Sequence, residues 1–221
     1  MTTVLIIGAS RGIGLELVRQ YLSTGARVIA TARDEAGLAR LRETGAEPLR
    51  LDVADPASVS GLARQLEGEK LDVALYVAGV MDRASAATSP TREAFDQVMH
   101  TNVLGAMQVM PLVLPGVQAA AGVFGVLSSS MSLIGSVPAG NAWLYRVSKA
   151  ALNMAVVSAR FDYPGARLVA LDPGWVQTDM GGASPLSVDE SVAGLLAAIA
   201  SLTDADNGRL IHHDGRRANH W

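Results

Sequence analysis

A doubly wound α/β fold with a parallel sheet is the class this sequence predicts, and three observations carry it. Short apolar runs recur along the whole chain, each nearly continuous rather than alternating, as strands buried on both faces are. Longer helical patterns stand between them. A glycine-rich turn follows the first run and opens the first helix. Alternating strand and helix means βαβ units with right-handed crossovers, hence about seven parallel strands with helices on both faces.

The first run, TVLIIG (residues 3–8), leads through GASRG into a helix over residues 12–23. ARVIATA (26–32) follows, then a helix over 35–44, then PLRLDV (48–53) and a helix over 56–67. DVALYVAG (72–79) precedes one long helix over 91–114, and GVFGVLSS (122–129) precedes a helix over 143–161. ARLVALDPG (166–174) and a helix over 188–202 complete the pattern. No linker or internal repeat interrupts it, so one domain over residues 1–221 is expected to hold both cofactor and substrate.

Composition narrows the partners. Of 221 residues 49% are hydrophobic and 18% charged, with a formal net charge of −3 and both signs interspersed. That leaves no basic footprint for nucleic acid and no polybasic membrane patch, so small molecules are the expected partners. There is no cysteine, which excludes a disulfide framework and a thiolate metal site. His212, His213 and His220 lie in a Gly/Arg/Asn-rich tail without carboxylates at ligand spacing, so they read as solvated or hydrogen-bonded and no metal is expected. Residues 101–145 carry no charge, but Pro111, Pro115, Gly116, Gly122 and Gly125 break the segment, against a membrane span. The first residues lack a basic region and a long apolar run, and a cytoplasmic protein is expected.

In such sheets ligands bind outside the carboxyl ends of the strands, so the residues after each strand hold the function. Gly8, Gly12 and Gly14 in GASRGIG suit a turn whose backbone approaches a pyrophosphate at a helix N-terminus, as in a Rossmann-type domain. The second strand ends in Thr31, Ala32 and Arg33 where an acidic residue would bind a ribose 2′-hydroxyl, and the first loop offers Arg11. Two guanidiniums suit a 2′-phosphate, which predicts NADP over NAD. A one-residue slip would instead put Asp34 in the acidic role.

Tyr145 and Lys149 in YRVSK stand at i and i+4 on one helical face, just after a strand ending in LSSSMS. Hydride transfer to a carbonyl needs a proton for the developing alkoxide. A phenol supplies it if its pKa is lowered toward neutrality, and a neighbouring ammonium favours the phenolate. A serine hydroxyl can hydrogen-bond the oxygen where charge develops.

GASRGIG (8–14), LDV (51–53), Ala78 and Gly79, NVLGAM (102–107), Ser128 and Ser129, YRVSK (145–149) and DPGWVQTDMGG (172–182) occur in the order of the short-chain dehydrogenase/reductase family, which the chain resembles over essentially its whole length. YRVSKAALN, PGWVQTDMGG and the ending HHDGRRANHW look most like its branch of small carbonyl reductases related to the sniffer and C-factor proteins. The resemblance implies an NADP-dependent oxidoreductase of carbonyl or alcohol substrates, with Tyr145 as acid/base. Lys149 would bind the nicotinamide ribose and lower the tyrosine pKa, and Asn102 would hold a water connecting Lys149 to solvent. Asp52 and Val53 would face the adenine, Gly79 its ribose, and Val176 and Thr178 the carboxamide. Ser10, Ile13, Ala78, Pro173 and Gly174 complete the implied cofactor set.

The family spacing leaves two serines. Sixteen residues before Tyr145 selects Ser129 and thirteen selects Ser132; Ser129 is preferred because a strand terminus fixes a side chain better than a loop. Tyr76 and Val77 stand where the family usually has asparagines, which predicts a weakened or rearranged central sheet. No long insertion follows residues 179–182, so an open site is expected, shaped by Val80, Met81, Leu133, Trp143, Trp175 and residues 180–185. The apolar helices 91–114 and 143–161 suggest a homodimer.

Overall fold

The structure, a computed structural model, describes residues 1–221. Its strands are β1 (Thr3–Ile7), β2 (Arg27–Ala32), β3 (Glu47–Arg50), β4 (Val73–Tyr76), β5 (Val123–Leu127), β6 (Arg167–Asp172) and β7 (Leu210–His212). They form one sheet in the order β3-β2-β1-β4-β5-β6-β7, and every pairing is parallel. The winding reverses between β1 and β4, where the chain ends leaving the sheet diverge and open a crevice.

Alternation along β1 divides the core. Val4 and Ile6 pack with Leu17 and Val18 of α1 (Gly12–Ser23), Leu38 and Leu41 of α2 (Glu35–Thr44), and Leu195 and Ile199 of α8 (Val188–Ala200). Leu5 and Ile7 face the other way, toward Val109 and Val113 of α6 (Gly105–Ala119) and Leu152 and Val156 of α7 (Trp143–Ala159). Both faces are thus covered, as continuous apolar strands require.

Three sequence expectations change. The run 48–53 is not buried on both faces: β3 is the edge strand, with Glu47 and Arg50 exposed. The helix expected over 56–67 breaks at Gly61 into α3 (Pro56–Ser60) and α4 (Leu62–Gln65). The helix expected over 91–114 is capped by Thr91, runs as α5 (Arg92–Met99), opens into a π-turn over His100–Leu104, and continues as α6 beyond both prolines. Pro111 and Pro115 sit on the exposed face with Met107, where carbonyls that lose their N–H partners can turn to water.

Candidate active site

The site assembles at the carboxyl ends of β1, β4, β5 and β6. Gly8 leaves β1 with φ +88°, and a Cβ there would meet the Ala78 nitrogen at 2.6 Å, so only glycine fits. Its N–H donates to Thr31 Oγ1 at 3.0 Å. α1 then begins without a side-chain cap, whereas Asp34, Thr91 and Ser187 cap α2, α5 and α8. Its first N–H groups stay available beside the positive end of the helix dipole, the donor set a pyrophosphate takes. These residues fit a dinucleotide.

The charges around that loop are arranged unequally. Arg11 Nη1 pairs with Asp179 Oδ2 at 3.0 Å, while Arg33 is exposed and meets no carboxylate closer than Asp34 at 4.0 Å. Asp34 Oδ1 accepts the Gly37 N–H at 2.7 Å, so one oxygen of this carboxylate caps α2. Arg40, which the sequence reading missed, donates from Nε to the Ser10 carbonyl at 3.0 Å. Nothing in linear spacing reveals that α2 folds back over the first loop.

At the end of β4 the expected weakening is overturned. Tyr76 is fully buried, its hydroxyl donates to the Thr101 carbonyl at 2.6 Å, and β4 pairs in register with β1 and β5. The phenol ties β4 to the π-turn that carries Asn102. Asn102 in turn donates from Nδ2 to the Val80 carbonyl at 2.8 Å and to Ser148 Oγ at 2.9 Å, and its Oδ1 accepts the Val80 N–H at 2.8 Å. Both amide hydrogens are thus committed to protein groups, while Oδ1 keeps a second acceptor position. It does lie beside the reactive groups: a Cβ on Gly79 would meet both Asn102 Oδ1 and Lys149 Nζ at 3.4 Å.

β5 delivers the serines, and their surroundings separate them. Ser129 lines the cavity and its Oγ accepts the Met131 N–H at 3.1 Å. Ser132 is buried outside the cavity lining; its hydroxyl donates to the Ser129 carbonyl and accepts from Asn153 Nδ2 at 2.7 Å. Ser128 is also committed, donating to Asn153 Oδ1 at 2.6 Å.

Ala142 enters α7 in the left-handed region at φ +50°, a strained conformation for a residue with a Cβ. The helix then presents Tyr145 and Lys149 to the cavity on one face, the ammonium 5.6 Å from the phenol ring centroid. Lys149 Nζ donates to the Leu127 carbonyl at 2.6 Å, and burial brings its pKa down to about 8. Burial pushes Tyr145 well above the ordinary phenol range; the Asp172 charge adds to this and the Ser129 hydroxyl opposes it. Desolvation, the largest cause, disfavours the phenolate, a direction opposite to the expected lowering toward neutrality. Asp172 stays ionised beneath it: burial pulls its pKa up, but His212 Nδ1 at 2.9 Å and the Gly174 N–H at 3.1 Å outweigh that and hold it below the usual range.

After β6 the chain folds across the opening rather than leaving it bare. Trp175 Nε1 donates to the Gly181 carbonyl at 2.7 Å, Arg11 holds Asp179, and Arg83 Nη2 donates to the Met180 carbonyl. Together these elements border a partly open cavity of about 550 Å³. Of the candidate residues, Ile13, Gly79, Ser129, Tyr145, Lys149, Pro173, Gly174, Val176 and Thr178 line it. Gly8, Ser10, Arg11, Gly12, Gly14, Arg33, Asp52, Val53, Ala78 and Asn102 do not. Asp52 Oδ1 accepts the Ala54 N–H at 3.0 Å, and Val53 is buried in the core. Met81, Trp175 and Met180 shape the cavity as expected; Val80, Leu133 and Trp143 do not line it, and Arg83, Met131 and Asn141 do so without having been foreseen. Arg83 and Asn141 lie on loops and Met131 in a single 3₁₀ turn over Ser130–Ser132, where no periodicity marks them.

The parallel sheet with its uncapped first helix, and the cavity joining Tyr145, Lys149 and Ser129, define a nicotinamide-type oxidoreductase architecture. Residues 2–187 match the short chain dehydrogenase family model, and the chain belongs to that family, oxidoreductases acting on CH–OH and C=O groups. It is 35% identical to the 1-hydroxy-2-glutathionyl-2-methyl-3-butene dehydrogenase of a Rhodococcus species, over 97% of this chain and 98% of the relative. Among solved structures it superposes on the carbonyl reductase Sniffer of D. melanogaster with a TM-score of 0.91 at 28% identity, each chain fully covered. A carbonyl reductase of Pseudomonas aeruginosa in complex with NADP gives 0.84 at 31% identity, again over all of both chains. No helix is long and apolar enough to cross a membrane.

Proposed function

We propose that this dehydrogenase is an NADP(H)-dependent carbonyl reductase built on one domain, residues 1–221, with Tyr145 as its acid/base. The observation that carries the reading is the meeting of Tyr145, Ser129 and Lys149 in one cavity at the switch point of the sheet. Support for NADP comes from Arg33, exposed near the end of β2 with its nearest carboxylate 4.0 Å away, and from Asp34, one of whose carboxylate oxygens caps α2. The similar Pseudomonas carbonyl reductase in complex with NADP supports the same cofactor.

When bound, the reduced cofactor supplies the hydride. The chain's own residues do the rest. The N-terminus of α1 and the backbone at Gly8 would hold the pyrophosphate, Arg33 and Arg11 the 2′-phosphate, Asp52, Val53, Ala78 and Gly79 the adenosine, and Val176 and Thr178 the carboxamide. Ser129 donates a hydrogen bond to the substrate oxygen. Tyr145, kept protonated by burial, gives its proton to that oxygen as charge develops on it. Lys149 stabilises the resulting phenolate, and Asn102 holds the Gly79–Val80 backbone beside it.

The exposed apolar side chains Phe95, Leu104, Met107, Val147 and Met154 on α5, the π-turn, α6 and α7 support a homodimer. A monomer mass by light scattering at micromolar concentration would remove that part. A cysteine-free chain has no need of an oxidising compartment, which supports a cytoplasmic location. The central reading is tested by NADPH consumption against a panel of aldehydes and ketones, with Tyr145→Phe as control. Wild type is expected to turn over at least one class and the variant none; equal rates for both would overturn it.

A further inference from the structure

The lining of the cavity is chemically one-sided. Arg83 and Lys149 are its two charged residues and no acidic side chain lines it. Lys149 sits at the reactive end. Arg83 is different: it lies on the loop after β4, makes no ion pair, and its only hydrogen bond goes from Nη2 to the neutral Met180 carbonyl across the opening. Its remaining N–H groups keep the planar geometry that matches a carboxylate.

A second donor stands nearby. The Ala86 N–H donates to the Gly140 carbonyl at 2.9 Å and the Trp143 N–H to the Ala84 carbonyl at 3.3 Å, which lays the Arg83 loop against the segment before α7. That segment carries Asn141, which also lines the cavity. Arg146 occupies the oxygen side of Asn141, with Nη2 to Oδ1 at 3.0 Å and Nε to the backbone carbonyl at 2.9 Å. With Oδ1 engaged by Arg146, the NH₂ is the donor the Asn141 side chain has left to offer. Met81, Met131, Trp175 and Met180 line the same cavity and give it an apolar, adaptable wall.

We propose that the substrate is a carboxylate-bearing aldehyde or ketone, its anionic end held by Arg83 and Asn141 and its carbonyl delivered to Tyr145 and Ser129. This rests on the carbonyl-reductase reading of the same cavity. The hydride adds to the carbonyl carbon, the Tyr145 proton to its oxygen, and the carboxylate is unchanged, so the product is a hydroxy acid anion. Arg83 is a specificity residue that touches substrate away from the reacting atoms.

The test pairs 4-formylbenzoate with its uncharged methyl ester. Binding to the NADP⁺-loaded protein, where no turnover occurs, is followed by calorimetry, and reduction with NADPH is followed separately. Wild type is expected to bind the acid about 10-fold or more tighter than the ester, the scale of one charge-assisted carboxylate contact. That ratio should fall to about one in Arg83→Gln, recover in part in Arg83→Lys, and drop in Asn141→Ala. Added salt should weaken binding of the acid and leave the ester unmoved, a readout that needs no variant. An acid-to-ester ratio of one or less in wild type, or the same ratio in Arg83→Gln, overturns the proposal. Arg83-dependent preference for the acid with no NADPH consumed by either compound, or by any other member of the carbonyl panel, keeps the anion site and removes the reductase reading instead.

Discussion

The Tyr76 hydroxyl donates a 2.6 Å hydrogen bond to the carbonyl of Thr101, joining the end of β4 to the π-turn that holds Asn102. A single buried phenol thus takes over a junction at which amide side chains were expected. π-Turns are irregular by nature and concentrate where a helix must place one side chain against a functional site.

Tyr76→Phe keeps the ring and leaves the Thr101 carbonyl without its partner. The expected cost is about 1–2 kcal/mol in urea unfolding, the scale of an unsatisfied buried acceptor. Because Asn102 rides on the same turn, kcat should fall several-fold while the midpoint shift stays modest. Unchanged kcat alongside the loss of stability would make the bond purely structural.

Lys149 sets the pH behaviour. Its pKa is down to about 8 in the fold against an ordinary 10.5, so the unfolded chain binds more protons across that interval and stability rises with pH there. Below it the buried ammonium costs the fold about 3 kcal/mol, the full difference between the two values. Lys149→Met should therefore be more stable than wild type near pH 7, with the gap closing as pH passes 10.5 in thermal or urea melts. Catalysis moves the other way. Tyr145 stays protonated throughout this range, so kcat/KM for reduction is expected to fall above about pH 8 as the Lys149 charge is lost, and Lys149→Met should lack that limb as well as most of the activity.

The sheet, the phosphate loop and the Tyr145–Lys149 pair were legible in the sequence because each rests on short-range order: continuous apolar runs, glycines between a strand and a helix, and i to i+4 spacing. What was not legible depends on contacts between distant segments. The sign of the Tyr145 shift follows from how much of the chain covers the phenol, and motif spacing carries no burial. Arg40 reaches Ser10 only because α2 returns over the first loop, and Arg83 reaches Met180 only because two loops close across the cavity. Asn102 lies near Lys149 across Gly79, and its hydrogen-bond partners Val80 and Ser148 are set by the fold.

Ser129 and Ser132 differ in what their hydroxyls have left to give. Ser132 already donates to the Ser129 carbonyl and accepts from Asn153, whereas Ser129 keeps its proton for the cavity. Ser129→Ala should lower kcat by about 100-fold, as loss of one oxyanion donor does, with little change in melting. Ser132→Ala should retain most turnover and lose about 1–3 kcal/mol of stability, since it strands a buried Asn153 amide. A Ser132 variant that is stable but inactive, beside an active Ser129 variant, reverses the assignment.

Cofactor choice turns on Arg33. Its guanidinium is exposed and 4.0 Å from the nearest carboxylate, so it loses no intramolecular partner when a phosphate arrives, and removing it should leave folding untouched. Arg11 differs, because its 3.0 Å pair with Asp179 must share or release the guanidinium. Arg33→Ala is accordingly expected to weaken NADPH binding by about 10-fold or more and leave NADH binding unchanged, the signature of a charge-assisted 2′-phosphate contact. Arg11→Ala should cost NADPH less, and part of its effect should appear as looser closure of the 178–181 segment, seen as a raised KM for the carbonyl substrate. Tighter NADH than NADPH binding in wild type, unmoved by Arg33→Ala, would reassign the cofactor to NAD.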